Sequence, residues 1–251
     1  MKIFQTTARI VLLCAIVMLA AGCGQKNLTE QQIAELQTQI EKGDKSALKS
    51  LISNAQDGDK LAQYALGRVY DFGQGAPQDY AQAAQWYRKA AEQNHPDAQY
   101  SLGLMYELGQ GTQQNYGQAA RWYRKAAEQG QPYAQYGMGM LYALGQGIPK
   151  DYEQADQWFR KSAAQGNTDA LRELGFLYRY GQGVPRNKVA AHALCSLSAA
   201  LDSSADNEAL SCRAKLAEDL TTQEIEDSQK LVIQIRSADW SLQALDQYLT
   251  A

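Results

Sequence analysis

The chain has 251 residues, of which 45% are hydrophobic and 20% charged, and its formal net charge at pH 7 is −3. This acidic balance, with no basic stripe in the sequence, argues against a nucleic-acid ligand, because clusters of Lys and Arg bind phosphate backbones. The sequence contains two histidines, His95 and His192, and neither stands near a serine-containing nucleophile motif, so a catalytic triad is not indicated.

Residues 1–22 have the pattern of a secretory signal, which is removed from the mature protein. Lys2 and Arg9 precede an apolar run over residues 10–21 that is too short for a membrane-spanning helix. The run ends in LAAGC at residues 19–23, which resembles the lipobox of bacterial lipoproteins. That resemblance implies cleavage before Cys23, acylation of Cys23 and a stable membrane anchor. An ordinary signal peptide or an uncleaved anchor is the alternative.

The mature protein is expected in the bacterial cell envelope. By the same lipoprotein resemblance, Gly24 in place of an aspartate favours anchoring to the periplasmic face of the outer membrane. Removal of Lys2 and Arg9 leaves 22 basic residues against 27 acidic ones, so the net charge becomes about −5. Residues 23–30 are polar after the cysteine and are interpreted as a short tether.

Residues 31–61 are expected to form a capping pair of helices. Thr29 and Gln32 have the spacing of a capping box, and apolar residues follow at helical spacing until Gly43. A second apolar pattern ends at Gly58 and aligns with half of the repeat unit that follows. Such a cap would shield the apolar edge of the first repeat.

The central part of the chain repeats a unit of 36 residues. Each unit has two stretches of apolar residues at helical spacing, separated by a turn with two glycines that spans residues 72–77 in the first copy. Asp79 is expected to cap the second helix. Such repeats predict an all-α solenoid of helix pairs. The four copies occupy residues 62–97, 98–133, 134–169 and 170–201.

These units resemble the Sel1-like repeat proteins. The resemblance rests on Ala-x-Tyr-x-Leu-Gly-x-x-Tyr, then Gly-x-Gly, then Tyr-x-x-Ala-x-x-Trp-Tyr-x-Lys-Ala-Ala, which is nearly intact three times. It implies an α/α superhelical solenoid like that of tetratricopeptide repeat proteins, and a role as an adaptor. The fourth copy departs from the pattern in its second half, as expected of a terminal repeat.

Small residues recur where the two helices of a unit are expected to pack closely. Glycine stands inside the first helix of every unit although it costs roughly 0.8 to 1 kcal/mol relative to alanine. We expect alanines on the facing helix to allow close approach and tryptophans to fill the gap between repeats. The Arg-Lys pairs of the second helices are expected on the outer, solvated face. The residues are Gly67, Gly103, Gly139 and Gly175, Ala83, Ala119, Ala155 and Ala191, and Trp86, Trp122 and Trp158.

Positions that vary between copies are free to bind a partner, because positions that the scaffold needs stay fixed. In the first helix of each unit, the varying positions share one face. If that face is concave, as the resemblance implies, it has a basic end and an apolar floor that suit an extended or helical segment. Drift, or packing against neighbouring helices, is the alternative. The predicted partner-binding residues are Arg68, Asp71, Leu104, Glu107, Tyr133, Met140, Phe176 and Arg179.

Residues 202–251 are expected to form C-terminal capping helices, with a docking helix for a partner as the alternative. Thr221 and Glu224 have the spacing of a second capping box. Cys195 and Cys212 are nearly equidistant from the middle of a loop at 202–206, so a helical hairpin would bring them level. A disulfide suits an oxidising compartment, and two buried free cysteines are the alternative.

The sequence therefore predicts a non-catalytic, lipid-anchored adaptor, monomeric and without cofactor or metal, that binds a protein or peptide of the envelope. His95 is interpreted as a solvated loop residue, and the lack of a Cys-x-x-Cys pair argues against zinc. One alternative is an immunity or inhibitor protein that acts on a toxin or regulator. Another is an enzyme acting on cell-wall sugar or peptide, which a deep pocket with perturbed acids would favour.

Overall fold

The computed structural model describes residues 27–202, 208–237 and 242–250, and all regular elements in these ranges are α-helices. The predicted signal segment and the lipidation residue Cys23 lie outside them. The helices are α1 (Glu30–Glu41), α2 (Lys45–Gln56), α3 (Lys60–Phe72), α4 (Tyr80–Glu92), α5 (Pro96–Leu108), α6 (Tyr116–Glu128), α7 (Pro132–Leu144), α8 (Tyr152–Ala163), α9 (Thr168–Tyr180), α10 (Lys188–Leu201), α11 (Glu208–Ala217), α12 (Thr222–Ser237) and α13 (Gln243–Thr250).

Each repeat is a pair of helices, so the predicted all-α solenoid is confirmed. We call α3, α5, α7 and α9 the A-helices, and α4, α6, α8 and α10 the B-helices. Every A-helix packs on the B-helix of its own repeat, the first three B-helices pack on the next A-helix, and α10 packs on α11 and α12. The A-helices begin two residues before the units defined from the sequence, at Lys60 in the first copy.

Local signals in the sequence place the ends of these helices. The A-helices end at glycines in the left-handed conformation, such as Gly73 with φ of 68°, which other residues adopt only with strain. The B-helices begin at a side-chain cap, and the predicted cap Asp79 accepts a hydrogen bond from the backbone N–H of Gln82 at 3.0 Å. The capping box of Thr29 and Gln32 is also present at the start of α1.

The glycine inside each A-helix makes room for a side chain of the B-helix. A Cβ atom on Gly67 would lie 2.5 Å from the ring of Tyr87, and one on Gly139 would lie 2.5 Å from the ring of Phe159. In the fourth repeat, a Cβ on Gly175 would meet the sulfur of Cys195 at 2.7 Å. The predicted close packing is therefore present, but the nearest atoms belong to these larger side chains and not to the alanines.

In each of the first three repeats, a buried glutamine of the A-helix pairs with an exposed glutamine at the end of the B-helix. The amide of Gln93 donates to Oε1 of Gln63 at 2.8 Å, and Gln63 donates in turn to the carbonyl of Ala55 at 3.1 Å. The pairs Gln99 with Gln129 and Gln135 with Gln165 repeat this arrangement. In the fourth repeat, Leu171 and Leu201 occupy both positions, so the pair changes as a unit.

The Arg-Lys pairs of the B-helices are engaged with neighbouring side chains. Each arginine donates to a tyrosine hydroxyl of the next A-helix, as Arg88 does to Tyr106 at 2.8 Å. Each lysine lies over the tryptophan ring three residues earlier, and the Lys89 ammonium is 3.8 Å from the Trp86 centroid. The three lysines, Arg88 and Arg124 are exposed as predicted, but Arg160 is half-buried in ion pairs. The arginines also link neighbouring repeats.

The two ends of the solenoid are covered by additional helices. At the start, the backbone N–H of Leu28 donates to the carboxylate of Asp59, which also caps α3. At the end, Cys195 of α10 and Cys212 of α11 form a disulfide with a Cα separation of 6.0 Å, so the predicted disulfide is confirmed. The side chain of Leu245 in α13 is fully buried against the same core, so the apolar face of α13 is covered within the chain.

Candidate functional site

A cavity of about 560 Å³ lies on the A-helix face, between α3, α5 and the start of α7. Four of the eight predicted partner-binding residues line it, one or two from each of these helices. They are Arg68, Asp71, Leu104 and Tyr133. The variation between repeats therefore coincides with an open concave site in the first half of the solenoid.

Aromatic rings form the wall of this cavity. Tyr64 stacks on His95 with ring centroids 4.5 Å apart, and Tyr100 lies 5.8 Å from Tyr133. Burial raises the pKa of Tyr64 and Tyr100, so their hydroxyls stay protonated at neutral pH. Tyr133 exposes 56% of its surface. The wall thus offers both apolar area and hydroxyl groups to a ligand.

Arg68 supplies the positive charge of the cavity. Its guanidinium lies 5.7 Å from the centroid of the Phe72 ring, in a cation–π contact. In the described part of the chain, Arg68 takes part in no ion pair and no side-chain hydrogen bond. Its donors are therefore available to a carboxylate or carbonyl of a ligand.

The acidic residues of this face accept hydrogen bonds from tyrosine hydroxyls of the B-helices. Asp71 accepts a hydrogen bond from the Tyr87 hydroxyl at 3.0 Å, and Glu107 accepts one from Tyr123 at 2.5 Å. Burial raises the pKa of Asp71, although the hydrogen bond from Tyr87 and the charge of Arg68 act against the increase. In the third repeat, Ala143 and Phe159 occupy these positions, so the acid is absent where the ring lacks a hydroxyl. Part of the variation at this position therefore has a scaffold cause.

The remaining predicted residues lie apart from this cavity. Met140 is half-buried and packs against the core of the last two repeats. Phe176 and Arg179 line a second cavity of about 320 Å³, to which Glu208 and Lys215 of α11 also contribute. The predicted groove is thus divided into two cavities in the described residues.

Sequence reasoning missed a row of exposed apolar residues, because it assigned the first of them to a turn. Phe72, Leu108, Leu144 and Tyr180 expose 60%, 54%, 54% and 60% of their surface. Each is the last residue of an A-helix and directly precedes the left-handed glycine. The available signal was an apolar residue at this position in all four copies. We call these four residues the apolar stripe.

His95 lies inside the structure, and its prediction as a solvated loop residue is wrong. The residue is 7% exposed and caps α5, where its Nδ1 accepts from the backbone N–H of Ala98 at 3.3 Å. Burial lowers its pKa, because desolvation disfavours the charged ring. The four A-helices are therefore capped by different residues at the same repeat position. These are Asp59, His95, Gln131 and Asn167, in order of repeats.

His192 forms a contact with a serine that the sequence did not indicate. Its Nδ1 lies 2.6 Å from the hydroxyl oxygen of Ser228, and Ser228 has no exposed surface. Burial, and then Arg213, lower the pKa of His192. Because no substrate could reach the buried Ser228 without rearrangement, we interpret the pair as a link between α10 and α12.

Other surfaces carry weaker indications of a site. A cavity of about 750 Å³ runs along α6, but Arg124 and Lys125 in its lining already contact Tyr142 and Trp122. The described residues contain no group of three or more His, Cys, Asp or Glu side chains placed to hold a metal ion. Among the described helices, none combines the length and apolar character needed to cross a bilayer.

Comparison with known sequences matches the repeats to one family. The family model described as Sel1 repeat matches residues 60–95, 96–131, 132–167 and 168–203. None of the curated proteins compared with the chain matches it.

Solved structures include similar solenoids. A Sel1 repeat protein from Oxalobacter formigenes is 32% identical with a TM-score of 0.67, and the match covers 80% of this chain and 85% of that chain. The protein c5321, a protective antigen present in uropathogenic Escherichia coli strains displaying an SLR fold, is 29% identical with a TM-score of 0.63. That match covers 88% of this chain and 56% of that chain. The immunity protein Pa5087 from Pseudomonas aeruginosa, at 20% identity and a TM-score of 0.47 over 86% of this chain and 83% of that chain, is too distant to support an argument.

Proposed function

This chain belongs to the Sel1 repeat family, and on that premise we propose that it is a lipid-anchored adaptor of the bacterial envelope that binds a partner protein on its A-helix face. Sel1 repeats generally mediate interactions between proteins and are generally non-catalytic scaffolds. The binding face, the class of partner and the location in the envelope are proposed for this chain and do not follow from membership of the family.

The cavity of about 560 Å³ on the A-helix face carries this proposal. It combines the ring of Tyr133, the guanidinium of Arg68 and the half-buried carboxylate of Asp71 within one concave surface. Tyrosine gives a large, rigid contact area at a low cost in side-chain entropy, which is why it is common in binding surfaces. An exposed peptide segment with one carboxylate or carbonyl group toward Arg68 fits this arrangement.

The location in the envelope is supported by two independent features. The resemblance of residues 19–23 to a lipobox implies acylation of Cys23. The disulfide between Cys195 and Cys212 suits an oxidising compartment such as the periplasm. Because the backbone N–H of Leu28 donates to Asp59 of the solenoid, only residues 24–27 separate the acylated cysteine from this contact. At about 3.5 Å per residue, this segment reaches roughly 15 Å, so the N-terminal cap would stay near the membrane surface.

Capture from solubilised envelope extract tests the binding face. The full-length protein and its Arg68→Ala and Tyr133→Ala variants are used as baits, with Ile233→Ala as control, because Ile233 is an exposed apolar residue of α12 far from the cavity in sequence. We expect the same protein to be enriched by the wild type and the control, and its recovery to fall at least tenfold with both cavity variants. An identical set of captured proteins for all four baits would place the binding surface elsewhere.

The identity of a captured protein also separates the remaining hypotheses. A toxin or regulator would indicate the immunity or inhibitor role predicted as an alternative from the sequence. A structural or secretory component would indicate an adaptor. Both outcomes use the same surface, so the cavity variants serve as the control in either case.

A further inference from the structure

The apolar stripe is exposed, although its position is apolar in all four repeats. Its four members stand at one position of consecutive repeats, so they form a row along the solenoid and not scattered surface residues. Each exposes more than half of its surface. Single exposed apolar side chains are common on monomers, whereas contiguous rows of them mark interaction surfaces.

Charge changes sign along the stripe. The residue directly before each member is, in order of repeats, Asp71, Glu107, Ala143 and Arg179. At the fourth repeat, Arg186 adds a second positive charge, since its Nε donates to the carbonyl of Arg179 at 3.1 Å. At the first repeat, Asp71 and the exposed cap Asp79 outnumber the single positive charge of Arg68. At the third repeat, Lys150 and the cap Asp151 have opposite charges. The stripe is therefore acidic beside its first half and basic at its end.

We propose that the apolar stripe is the docking surface for a second copy of this chain, arranged antiparallel about a two-fold axis between the second and third repeats. In that arrangement, Leu108 contacts the second copy's Leu144, and Phe72 contacts the second copy's Tyr180. The acidic half of each copy then faces the basic end of the other, so the surface is self-complementary. A parallel arrangement would place Arg179 and Arg186 against the same residues of the second copy.

This interface goes beyond the proposed function, and it differs from the monomer expected from the sequence. The adaptor cavity and the stripe share Phe72, but the other three stripe residues do not line that cavity. Binding of a partner and self-association can therefore be altered separately.

Site-specific crosslinking in the native envelope tests the arrangement with the full chain. Two differently tagged copies are co-expressed, one with Leu108→Cys and the other with Leu144→Cys, and mixed disulfide dimers are detected on non-reducing gels. We expect the mixed dimer to exceed either same-residue dimer at least fivefold. A copy with Ile233→Cys, a similarly exposed apolar position outside the stripe, should give no dimer.

A second variant separates the interface from the reactivity of the introduced cysteines. Phe72→Cys and Tyr180→Cys copies should also crosslink, and Leu144→Glu in both copies should lower that yield at least tenfold, because it places two charges in the centre of the apolar contact. Ile233→Glu should leave the yield unchanged. No mixed dimer in either pairing, or a yield unaffected by Leu144→Glu, would overturn the proposal, whatever the outcome of the capture experiment with Tyr133→Ala.

Discussion

Glycine within the A-helices shows how one residue is selected by a neighbour on another helix. Gly67, Gly103 and Gly139 each lie under an aromatic ring of the B-helix, at Tyr87, Tyr123 and Phe159. These rings are among the largest fully buried side chains of the protein. The local cost of glycine in a helix is therefore offset by the burial of a ring that a methyl group would displace.

Gly139→Ala should destabilise the protein although alanine is the better helix former. Its Cβ would lie 2.5 Å from two atoms of the Phe159 ring, and we expect a loss of roughly 1 to 3 kcal/mol in the free energy of unfolding. The control is Gly117→Ala in α6, where the nearest atom is Oδ1 of Asn115 at 3.3 Å, with an expected change within about 0.5 kcal/mol. Equal stability of the two variants in urea unfolding would contradict this account.

The free energy of unfolding should depend measurably on pH through the carboxyl of Asp71. Burial raises its pKa above the ordinary value of 3.8, so the folded state binds this proton more tightly than the unfolded state. The protonated carboxyl therefore contributes its full stabilisation of the folded state below pH 3.8. This contribution is lost as the pH rises through the higher pKa of the folded state.

Asp71→Asn should remove this contribution, because asparagine does not titrate and can still accept from Tyr87. Relative to the wild type, the variant should therefore gain stability as the pH rises from about 3 to 7. Tyr87→Phe should widen the pH window instead, since the hydrogen bond from Tyr87 lowers the pKa of Asp71. Parallel stability curves for all three proteins would show that Asp71 makes no such contribution.

Pairs of helices are joined by side-chain contacts that change together between repeats. Gln99 and Gln129 form a hydrogen bond of 2.7 Å, and Gln99 is fully buried. The fourth repeat has Leu171 and Leu201 at the same two positions. A buried amide that loses its partner costs more than an apolar pair of similar shape, which explains why both residues change.

Gln129→Leu alone should destabilise the protein by roughly 1 to 3 kcal/mol, because it leaves Oε1 of Gln99 without a donor. The double change Gln99→Leu with Gln129→Leu copies the fourth repeat and should recover at least half of that loss. A thermodynamic cycle from urea unfolding of the wild type, both single variants and the double variant gives the coupling energy. Additive effects would show that the two glutamines act independently.

Elements that depend on neighbouring residues in sequence were predictable, whereas contacts between elements were not. The helix pairs, the cap Asp79 and the capping box at Thr29 follow from period, spacing and turn chemistry, which are local. The pairing of Cys195 with Cys212 was predictable because a helical hairpin places them opposite each other. The burial of His95 depends instead on Tyr64 of the preceding repeat, and the contact of His192 depends on Ser228, 36 residues later. No local pattern contains either contact.

The candidate site was predictable in part for the same reason. Variation among the repeats identified Arg68, Leu104 and Tyr133 as neighbours in one cavity, since helical phase is readable from the sequence. It did not separate Phe176 and Arg179 into a second cavity, because α11 contributes to that boundary from outside the repeats. The apolar stripe was missed because the helix extends one residue farther than the turn pattern suggested.

As a whole, the molecule is a row of repeats whose two ends differ. At the N-terminal end, the backbone N–H of Leu28 donates to the carboxylate of Asp59, and the chain before Leu28 leads to Cys23. The C-terminal end is closed by α11 to α13, with the disulfide and an ion pair of 2.9 Å between Arg160 and Asp246. Attachment at one end would leave the A-helix face and the stripe along the length of the solenoid open to other proteins.

Cys23→Ser should move the protein from the membrane fraction to the soluble periplasm without altering its fold. Acyl chains on Cys23 provide the only anchor in this proposal, and two or more chains are needed for stable attachment. Because Cys23 precedes the helices, its substitution should leave the helical circular dichroism and the melting temperature unchanged. The matched control is Cys195→Ser with Cys212→Ser, which should keep the protein in the membrane fraction but lower its stability by roughly 3 kcal/mol, the entropy of the closed loop. Cys23→Ser protein that remains in the membrane pellet after a salt wash would show that another part of the chain holds it there.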